Sequence, residues 1–316
     1  MNKNIAVIGA GISGMSTAYL LSGQGHRVTI YAEGFSPNIT SNRAAAFWFP
    51  YHIRNDSRGI SWCNTSYRYY QAFTNEPATG ISMCRLHKVL RNDVTEEEPV
   101  WINFMPAGSY RVMLQDELLP GIAKAYDVQV PLIETQIFLP WLQQQLLERK
   151  VEFIERHIDS LDKIAEQYEV VINCSALGAR KLCGDKTVVP VRGQVALLQP
   201  RANMSIYLDN ENLLYIVPRK DAIIVGGTYE VGVETEATEP ATIERLLKNA
   251  FEVMPELKEQ DVIGSWAGLR PFRSEVRVAQ EEGKKIIHNY GHGGSGFTLA
   301  FGCAETVCQL VQGLTM

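Results

Sequence analysis

Three glycines near the start of the chain have the spacing of a turn that binds phosphate. Gly9, Gly11 and Gly14 follow the apolar run 5–8 directly, in the pattern G-x-G-x-x-G. The run predicts a buried strand, and residues 13–22 predict a helix after it. Unpaired N–H groups and partial positive charge at the start of that helix favour an anion, and the glycines let a pyrophosphate approach the backbone.

An acidic residue after a second strand completes this βαβ unit. Residues 28–31 are apolar and predict the strand, and Glu33 lies nineteen positions after Gly14. A carboxylate at this distance accepts hydrogen bonds from the hydroxyls of an adenosine ribose. We therefore expect the unit to bind a dinucleotide, which this pattern alone does not identify as FAD or NAD. The expected contacts are Gly9, Ala10, Gly11, Ile12, Ser13, Gly14 and Glu33.

A second glycine-rich turn lies near the C-terminus. Residues 285–290 predict a strand, residues 291–296 read Gly-His-Gly-Gly-Ser-Gly, and residues 297–312 predict a helix with no acid in its first turn. Such a helix start favours negative charge on its ligand. Because a reduced flavin carries negative charge on its pyrimidine ring, the two turns together favour FAD over NAD.

Two histidines, His288 and His292, lie at this second turn. They are four residues apart across a strand-to-loop junction, so they do not share a helical face, and no carboxylate or cysteine cluster lies nearby in the sequence. A structural zinc site takes four such ligands. We therefore expect these histidines to form hydrogen bonds and expect no metal site.

Strand-then-helix patterns occur at the start, in the middle and at the end of the chain, and strand-rich segments lie between them. Residues 128–138 predict a strand with a break at Pro131, residues 138–149 a helix, and residues 168–174 a buried strand that ends in small residues. Ligands bind at the carboxyl ends of strands in open α/β sheets. We predict the α/β class, with a Rossmann-like FAD-binding domain and a β-rich (α+β) substrate-binding domain. The predicted bounds are 1–50, 139–190 and 265–316 for the first domain and 51–138 and 191–264 for the second.

Composition and charge argue against several classes of partner. Of the 316 residues, 46% are hydrophobic and 21% charged, with a net charge of −5. Because no long basic run occurs, we expect neither nucleic acid nor an anionic membrane as partner. No apolar stretch reaches the length of about 18 residues needed to cross a bilayer. With no signal-peptide pattern and six cysteines without a C-x-x-C motif, we expect free thiols and a cytoplasmic protein. Acidic residues 96–98 predict a solvated loop.

The C-terminal glycine turn lies within a longer motif. Residues 287–298 read Ile-His-Asn-Tyr-Gly-His-Gly-Gly-Ser-Gly-Phe-Thr, and Gly-Cys-Ala follows at residues 302–304. This motif resembles the signature of the D-amino-acid oxidases, a flavoprotein family that includes D-aspartate oxidase. Stretches along the whole chain agree with the family in the same order: residues 7–14, 44–51, 171–179, 192–194, 215–218, 226–227 and 268–273.

The resemblance implies FAD in an extended pose and a substrate site beside its flavin ring. Arg270 would bind the substrate α-carboxylate as a bidentate pair, Tyr215 would hydrogen-bond that carboxylate, and the Gly294 carbonyl would accept from the amine. The implied FAD contacts fall into three groups. At one edge of the flavin they are Ala44, Ala45, Ala46 and Phe47, and along the adenosine they are Ile158, Cys174, Ser175, Ala176 and Leu177. At the pyrimidine edge they are Gly293, Gly294, Ser295, Gly296, Phe297 and Thr298, with Arg270 as a further contact. Arg43 is either a contact of the FAD phosphates or a surface residue. The candidate walls of the substrate pocket are Phe47, Phe49, Tyr51, Tyr215 and Trp266. All of these except Tyr215 fit a place in the hydrophobic core equally well.

The chain departs from the family just before Tyr215. Mammalian members carry a second tyrosine four residues earlier, on a mobile lid, whereas this chain has Glu211 there and a shorter segment between residues 193 and 215. The resemblance therefore leaves lid behaviour and preferred substrate size open. The candidates to replace the missing tyrosine are Tyr51, Tyr207 and Tyr229.

Together these features predict that the chain oxidises D-amino acids. With the carboxylate held, the Cα hydrogen points at flavin N5 and moves to it as a hydride. The imino acid then hydrolyses to a 2-oxo acid and ammonia, and dioxygen takes the electrons to give hydrogen peroxide. The expected partners are a small-molecule D-amino acid and dioxygen, and a homodimer stays open.

Other activities on the same scaffold also stay open. They are glycine or sarcosine oxidation, D-aspartate oxidation, and dehydrogenation with an acceptor other than dioxygen. A D-aspartate oxidase needs an additional cation for the side-chain carboxylate, for which Arg43, Arg219 and Arg273 are candidates. A flavin-binding module without turnover is disfavoured by the presence of both Arg270 and Tyr215.

Overall fold

The structure is a computed structural model that describes residues 2–91 and 98–314. Of the acidic loop predicted at residues 96–98, Glu96 and Glu97 lie outside the described residues. One mixed sheet of 14 strands runs through the described residues. The strands are β1 (Asn4–Ile8), β2 (Arg27–Ala32), β3 (Ile81–Leu90), β4 (Tyr110–Val112), β5 (Lys124–Ile133), β6 (Glu152–Glu155), β7 (Val170–Asn173), β8 (Val189–Leu198), β9 (Ile206–Asp209), β10 (Leu214–Pro218), β11 (Ile223–Gly226), β12 (Glu230–Val231), β13 (Val262–Gln280) and β14 (Ile286–His292).

The α-helices of the described residues connect and cover these strands. They are α1 (Ile12–Gly23), α2 (Ser57–Phe73), α3 (Thr135–Glu148), α4 (Leu161–Ala165), α5 (Ala179–Leu182), α6 (Pro240–Val253) and α7 (Gly296–Gly313). Short 3-10 turns lie before several of them, including one at Thr40–Arg43 and one at Gly293–Ser295. With strands and helices interleaved in this way, the predicted α/β class is confirmed.

Five strands at one end of the sheet are parallel, in the order β14-β7-β1-β2-β6. Ile8 at the end of β1 pairs with Asn173 at the end of β7, which in turn pairs with His288 of β14. The carboxyl ends of these strands therefore meet at one edge of the sheet. Both predicted glycine turns start there, which brings residues from opposite ends of the chain together.

The remaining strands form a mainly antiparallel region, in the order β4-β5-β3-β9-β10-β11-β8-β13, with β12 paired to β8 outside this order. The 19-residue strand β13 pairs with β8 on one side and with β14 on the other, so it joins the two regions of the sheet. Arg270 lies on this strand, opposite Val191 of β8. The side chain predicted to bind a carboxylate is thus held on the strand that the two regions share.

Helix α7 packs against both α1 and α2 beside the parallel strands. The packing between α2 and α7 depends on Gly302, where an added Cβ would lie 2.3 Å from the backbone of Trp62. Helix α2 falls in the first segment predicted for the substrate-binding domain, although it packs on a helix from the FAD-binding segment. The proposed domain bounds stay a prediction.

The predicted break at Pro131 is wrong. Pro131 lies within β5, opposite Met83 of β3, and the strand ends at Ile133 rather than Phe138. The Pro131 carbonyl accepts a hydrogen bond from the Trp48 N–H at 2.8 Å, on the side of β5 away from β3. Because the N and O atoms of one residue face the same side of a strand, the missing N–H costs the β3 ladder no bond. The next helix, α3, accordingly begins at Thr135.

The second glycine turn is shorter than predicted. Strand β14 continues through Gly291 to His292, and only residues 293–295 form the turn before α7 begins at Gly296. Gly291 has a φ of +88°, a conformation that residues with a Cβ rarely adopt. The glycine therefore lets the strand bend into the turn rather than end before it.

Within residues 2–91 and 98–314, every helix is too short or too polar to span a membrane. The six cysteines are free thiols, as expected, and four of them are buried. Within the same residues no group of three or more histidine, cysteine or acidic side chains has a metal-binding arrangement.

Candidate active site

A cavity of about 440 Å³ lies where the two glycine turns meet the antiparallel region of the sheet. Its walls come from the start of α1, residues 40–51, the end of β7, strands β8, β10 and β13, and the turn before α7. Of the predicted site residues, those that line it are Gly11, Ile12, Ser13, Arg43, Ala44, Ala45, Ala46, Phe47, Phe49, Tyr51, Cys174, Ser175, Ala176, Leu177, Tyr215, Arg270, Gly293, Gly294, Gly296, Phe297 and Thr298. The structure thus brings most of the predicted residues to one cavity.

The first glycine turn forms one end of this cavity. An added Cβ would lie 2.4 Å from the Cys174 carbonyl oxygen at Gly9 and 1.9 Å from the Gly9 carbonyl oxygen at Gly14. These two glycines therefore serve the close packing of strand, turn and helix. At Gly11 an added Cβ would meet only the Ser41 hydroxyl, at 3.1 Å, so Gly11 keeps the space in front of α1 open. The helix start faces this space, which suits a phosphate group.

Several predicted cofactor contacts lie behind the cavity wall rather than on it. Gly9 and Ala10 belong to the first turn, Gly14 to α1 and Ser295 to the second turn, and Ile158 packs in an apolar cluster with Tyr31. The Glu33 carboxylate contacts the Nδ1 atom of His157 at the protein surface, outside the lining of the cavity. The roles of Glu33 and Ile158 beside an adenosine stay predictions.

The second glycine turn lies beside the first, since an added Cβ at Gly296 would be 3.6 Å from Ile12 Cγ2, and it is tied to residues 49–51. The Thr298 hydroxyl donates to the Phe49 carbonyl oxygen at 3.0 Å, and the Ser295 hydroxyl donates to the Tyr51 carbonyl oxygen. An added Cβ at Gly294 would lie 3.1 Å from the Tyr51 ring. The start of α7 and the aromatic segment before α2 therefore form one wall.

The two histidines near this turn form hydrogen bonds. His292 Nε2 pairs with the Asn289 side-chain oxygen at 3.1 Å, and burial lowers the pKa of His292 to about 4. His288 Nε2 pairs with the Glu281 carboxylate at 3.2 Å, and burial, with the nearby charge of Arg277, lowers its pKa to about 4. Both imidazoles are therefore neutral near pH 7.

The segment with the three alanines lies along the middle of the cavity. The Ala46 carbonyl accepts from the Ile133 N–H at 2.8 Å, which fixes the segment on β5. The guanidinium of Arg219 donates to the Ala44 carbonyl at 3.0 Å and to the Thr135 hydroxyl at 2.9 Å. Small side chains on a fixed backbone leave room for a flat ring to lie against this wall.

Arg270 reaches the cavity from β13, and its guanidinium has one hydrogen-bond partner within the part of the chain that the structure describes. Nη1 donates to the Thr228 carbonyl at 2.9 Å, and no carboxylate among residues 2–91 and 98–314 forms a salt bridge with Arg270. An added Cβ at Gly193 would lie 2.2 Å from Nη2, and one at Gly294 would lie 3.4 Å from Cδ. A partly buried arginine without a carboxylate partner favours an anionic ligand.

Tyr215 lies on β10 with its ring against the backbone of Gly226 and Gly227. An added Cβ would lie 2.3 Å from the ring carbon Cζ at Gly226 and 2.8 Å from the hydroxyl oxygen at Gly227. Strand pairing places Tyr215 directly opposite Gly226. The two glycines that accompany Tyr215 in the family motif therefore make room for its ring at the cavity wall.

Three aromatic rings cluster beside Arg270. The centroid of Tyr51 is 4.3 Å from that of His52 and 6.4 Å from that of Tyr229. Burial raises the pKa of the Tyr51 hydroxyl, and the positive charge of Arg270 opposes this shift. Tyr207, the remaining candidate for the missing lid tyrosine, is fully buried and bonds to Arg91, so only Tyr51 and Tyr229 lie near the site.

The segment that carries a lid in mammalian members is a tight turn in this chain. Residues 210–213 join β9 to β10, and the buried Asp209 carboxylate accepts from the N–H groups of Glu211 and Asn212, each at 3.1 Å. The Glu211 carboxylate in turn accepts from the Arg91 N–H at 2.8 Å. Glu211 is therefore part of the turn, and the turn contributes Asn210 and Leu213 to the cavity lining.

The three arginines considered for a second carboxylate are already paired. Arg43 lines the cavity, but its Nη1 bonds to Glu236 at 2.6 Å and to the Ala267 carbonyl at 2.8 Å. Arg219 is buried and pairs with Asp221, and Arg273 pairs with Asp185 at 3.1 Å. Neither of the last two lines the cavity.

Other predicted and unpredicted residues complete the walls. Trp266 does not line the cavity; its Nε1 donates to the Arg43 carbonyl at 3.0 Å. Sequence reasoning missed Thr40 and Ser41, which line the cavity near α1, where the Ser41 hydroxyl accepts from the Ile12 N–H at 3.1 Å. The sequence does carry a signal for these two residues, because their hydroxyl groups lie in the loop that follows the strand predicted to lead to the ribose. Sequence reasoning also missed Gly193 and Thr228, for which the sequence offers no local signal.

The shape of this cavity suits an extended dinucleotide with a flavin. Gly11 keeps space open in front of α1, the small side chains of Ala44, Ala45 and Ala46 line another wall, and the start of α7 lies beside the start of α1. A sequence model described as FAD dependent oxidoreductase matches residues 4–310. The chain belongs to this family. This FAD-dependent oxidoreductase therefore has two neighbouring helix starts at its cavity, and we expect both to face anionic parts of the cofactor.

Curated relatives of this FAD-dependent oxidoreductase match over nearly its whole length. A D-amino-acid oxidase from Rubrobacter xylanophilus is 35% identical over 310 residues, which cover 96% of this chain and 94% of the relative. A D-aspartate oxidase from Homo sapiens is 30% identical over 324 residues, which cover 98% and 94%. Among solved structures, a glycine oxidase from Bacillus cereus superposes with a TM-score of 0.83 at 17% identity, covering 99% of this chain and 98% of that one. That last likeness establishes the fold alone.

Proposed function

We propose that this FAD-dependent oxidoreductase is a D-amino-acid oxidase, which converts D-amino acids to 2-oxo acids with release of ammonia and hydrogen peroxide. The observation that carries the proposal is Arg270, a cavity-lining guanidinium without a carboxylate partner among the described residues. An α-carboxylate supplies the missing anion and accepts two parallel hydrogen bonds from such a fork. The 35% identity to a D-amino-acid oxidase supports the same activity.

The groups around Arg270 suit the rest of an amino acid. Tyr215 presents its ring to the cavity, and its hydroxyl is a second donor for the carboxylate. Gly294 lies within contact of the Arg270 side chain, so its carbonyl is our candidate acceptor for the substrate amine. FAD, when bound, supplies the hydride acceptor and passes the electrons on to dioxygen. The protein residues contribute by fixing the carboxylate and the amine.

Stereochemistry follows from this anchoring. If Arg270 fixes the carboxylate, Gly294 fixes the amine and the Cα hydrogen must face the flavin, the side chain has one remaining direction. Phe47, Phe49 and Tyr51 line the cavity and are the proposed walls for that side chain. The anchoring thus selects one enantiomer, and the similarity to the D-amino-acid oxidase from Rubrobacter supports the D-enantiomer as the substrate.

A neutral D-amino acid fits the cavity better than D-aspartate. A second carboxylate needs a second cation in a site that excludes water. Arg43 is the cavity-lining candidate, and it is already bonded to Glu236 and Ala267. Arg219 and Arg273 are paired away from the cavity. Glycine and sarcosine, which need only the carboxylate and amine anchors, stay as alternative substrates.

The electron acceptor and the setting of the protein are further parts of the proposal. We propose dioxygen as the acceptor, a cytoplasmic location, and the FAD-binding and substrate-binding segments as predicted. A homodimer is the proposed assembly. An acceptor other than dioxygen would leave oxidation of the amino acid unchanged but would abolish peroxide release.

A peroxide assay tests the proposed function. The flavin-loaded enzyme is mixed with each D- and L-amino acid, with glycine and with sarcosine, and peroxide and 2-oxo acid are measured in parallel. We expect both products with neutral D-amino acids and much less with D-aspartate. Activity confined to L-isomers would contradict the assignment, and no product in air alone, with 2-oxo acid formed once an artificial acceptor is added, would point to a dehydrogenase.

A further inference from the structure

Behind Arg270 lies a buried hydrogen-bond network that the proposed reaction does not itself require. We infer that Thr228 and Glu230 position the Arg270 guanidinium for the substrate carboxylate, with Thr228 in contact with the arginine and Glu230 acting through Thr228. This inference rests on the proposed function of Arg270. It names two positioning residues that lie on the segment between β11 and β12.

Thr228 connects to Arg270 through its backbone. Its carbonyl oxygen accepts from Arg270 Nη1 at 2.9 Å. This is the hydrogen bond that the structure gives the guanidinium among residues 2–91 and 98–314, and it leaves Nη2 and the second N–H of Nη1 to donate to a ligand. The direction of the guanidinium therefore depends on where the Thr228 carbonyl points. A displacement of about 1 Å in a substrate-binding group is enough to cost up to about 100-fold in rate.

The Thr228 side chain is fixed from the other side. Its hydroxyl oxygen accepts from the Gln194 N–H at 3.0 Å, in a residue that is fully buried on β8. The same hydroxyl lies within hydrogen-bonding reach of the Glu230 carboxylate. Thr228 itself is only 9% exposed. Both polar groups of Thr228 are thus engaged, its hydroxyl with the network and its carbonyl with Arg270.

Glu230 is the anionic centre of this network. Its carboxylate accepts from the Gln194 side-chain amide at 2.8 Å and from Arg192 Nε. Burial raises the pKa of the Glu230 carboxyl, but hydrogen bonds from Thr228 and Gln194 outweigh that effect and hold the pKa below its usual range. The carboxylate therefore stays ionised near pH 7 and keeps accepting hydrogen bonds.

Arg192 and Glu239 close the network on the far side from Arg270. Arg192 is 5% exposed and bonds to the Glu239 carboxylate and, at 3.0 Å, to the Ala237 carbonyl. The Glu239 N–H donates to the Gln194 side-chain oxygen at 2.7 Å. Arg192 is shared by the Glu230 and Glu239 carboxylates, and neither of these lies within salt-bridge distance of Arg270. The network therefore orients Arg270 without neutralising it.

The test replaces the hydroxyl of Thr228 and keeps its shape. In Thr228→Val the hydroxyl bonds are lost, so the carbonyl is held less firmly, whereas Thr228→Ser retains them. We expect Thr228→Val to raise KM for a D-amino acid and the dissociation constant of propionate, a carboxylate without an amine, by about tenfold each, as for one lost hydrogen bond. We expect kcat to change by less than about twofold, FAD to stay bound, and Thr228→Ser to restore both constants.

Thr79→Val is the matched control, because Thr79 is a fully buried threonine whose hydroxyl bonds to the Phe73 and Glu76 carbonyls, far along the chain from the cavity lining. It separates lost stability from lost positioning. If Thr228→Val does not fold, Glu230→Gln undergoes the same measurements, with a smaller rise in both constants expected.

Unchanged KM and propionate affinity in Thr228→Val, or equal changes in Thr79→Val, would overturn the inference. Propionate binding, read from the flavin absorbance spectrum, requires no turnover. If the enzyme oxidises no D-amino acid, the proposed function fails, while the propionate titration still decides whether Thr228 positions Arg270.

Discussion

The guanidinium of Arg270 occupies the space that a side chain at Gly193 would need. A Cβ at Gly193 would lie 2.2 Å from Nη2 and 2.5 Å from Nη1. The two residues are on neighbouring strands, with Gly193 paired to Gly268, two positions before Arg270. A glycine on β8 thus makes the proposed carboxylate site available.

Gly193→Ala is therefore expected to impair substrate binding without unfolding the protein. The added methyl group displaces the end of a flexible side chain, so the backbone is preserved while Arg270 loses its position. We expect KM for D-amino acids to rise about tenfold or more. Steady-state kinetics check this, with Gly313→Ala as control, because an added Cβ at Gly313 meets no atom within 4 Å. Normal kinetics in Gly193→Ala would show that Arg270 is not constrained there.

Gly226 is expected to act on catalysis through Tyr215. An added Cβ at Gly226 would lie 2.3 Å from Tyr215 Cζ, so Gly226→Ala must shift the ring. Tyr215→Phe keeps the ring and removes the hydroxyl, and we expect KM to rise about tenfold for one lost hydrogen bond to the carboxylate. A double-mutant cycle measures whether the two changes are coupled. We expect the double variant to be little worse than Gly226→Ala alone; additive effects would refute the coupling.

Gly11 and Gly14 are expected to fail in different ways. Gly14→Val places side-chain atoms against the Gly9 carbonyl, 1.9 Å from the nearest added atom, and should destabilise the fold itself. Gly11→Val meets only the Ser41 hydroxyl, so we expect a folded protein that has lost FAD affinity. Circular dichroism and a flavin titration distinguish these results. Tight FAD binding by Gly11→Val would show that the pyrophosphate does not lie in front of α1.

His292 is expected to make stability depend on pH. Burial lowers its pKa to about 4, whereas an unfolded histidine titrates near 6.5. The folded state thus binds fewer protons between these values, so the contribution is complete above about pH 6.5 and is lost as the pH falls towards 4. It amounts to on the order of 3 kcal/mol. Denaturant unfolding of the wild type and His292→Gln should show a stability difference that shrinks with acid; a constant difference would contradict the assignment.

Much of this site could be read from the sequence because its signals are local. The two glycine turns and the residues after β7 each follow a strand directly, so strand and helix patterns place them at one edge of a sheet, whereas the alanine segment at residues 44–46 was implied by the family resemblance. Arg270 and Tyr215 were found by resemblance to a family rather than by pattern. Their presence in one cavity is a property of the folded chain.

The residues that position Arg270 could not be predicted from the sequence, because their contacts join strands that are distant along the chain. Gly193, Thr228 and Arg270 come from β8, the segment before β12, and β13, and nothing in their spacing indicates contact. The pairing of Arg43 with Glu236 joins residues 193 positions apart. The prediction of a strand break at Pro131 failed for a similar reason, because the sequence does not reveal which side of β5 the Pro131 N atom faces.

Reduction of the flavin by single enantiomers, without dioxygen, tests the proposed activity most directly. The flavin-loaded protein is mixed anaerobically with D-alanine or L-alanine, and the visible absorbance of the oxidised flavin is followed. We expect rapid loss of that absorbance with D-alanine and little change with L-alanine. In the Arg270→Ala variant we expect little change with either enantiomer. Equal loss with both enantiomers, or bleaching by D-alanine that is undiminished in Arg270→Ala, would contradict the proposed activity.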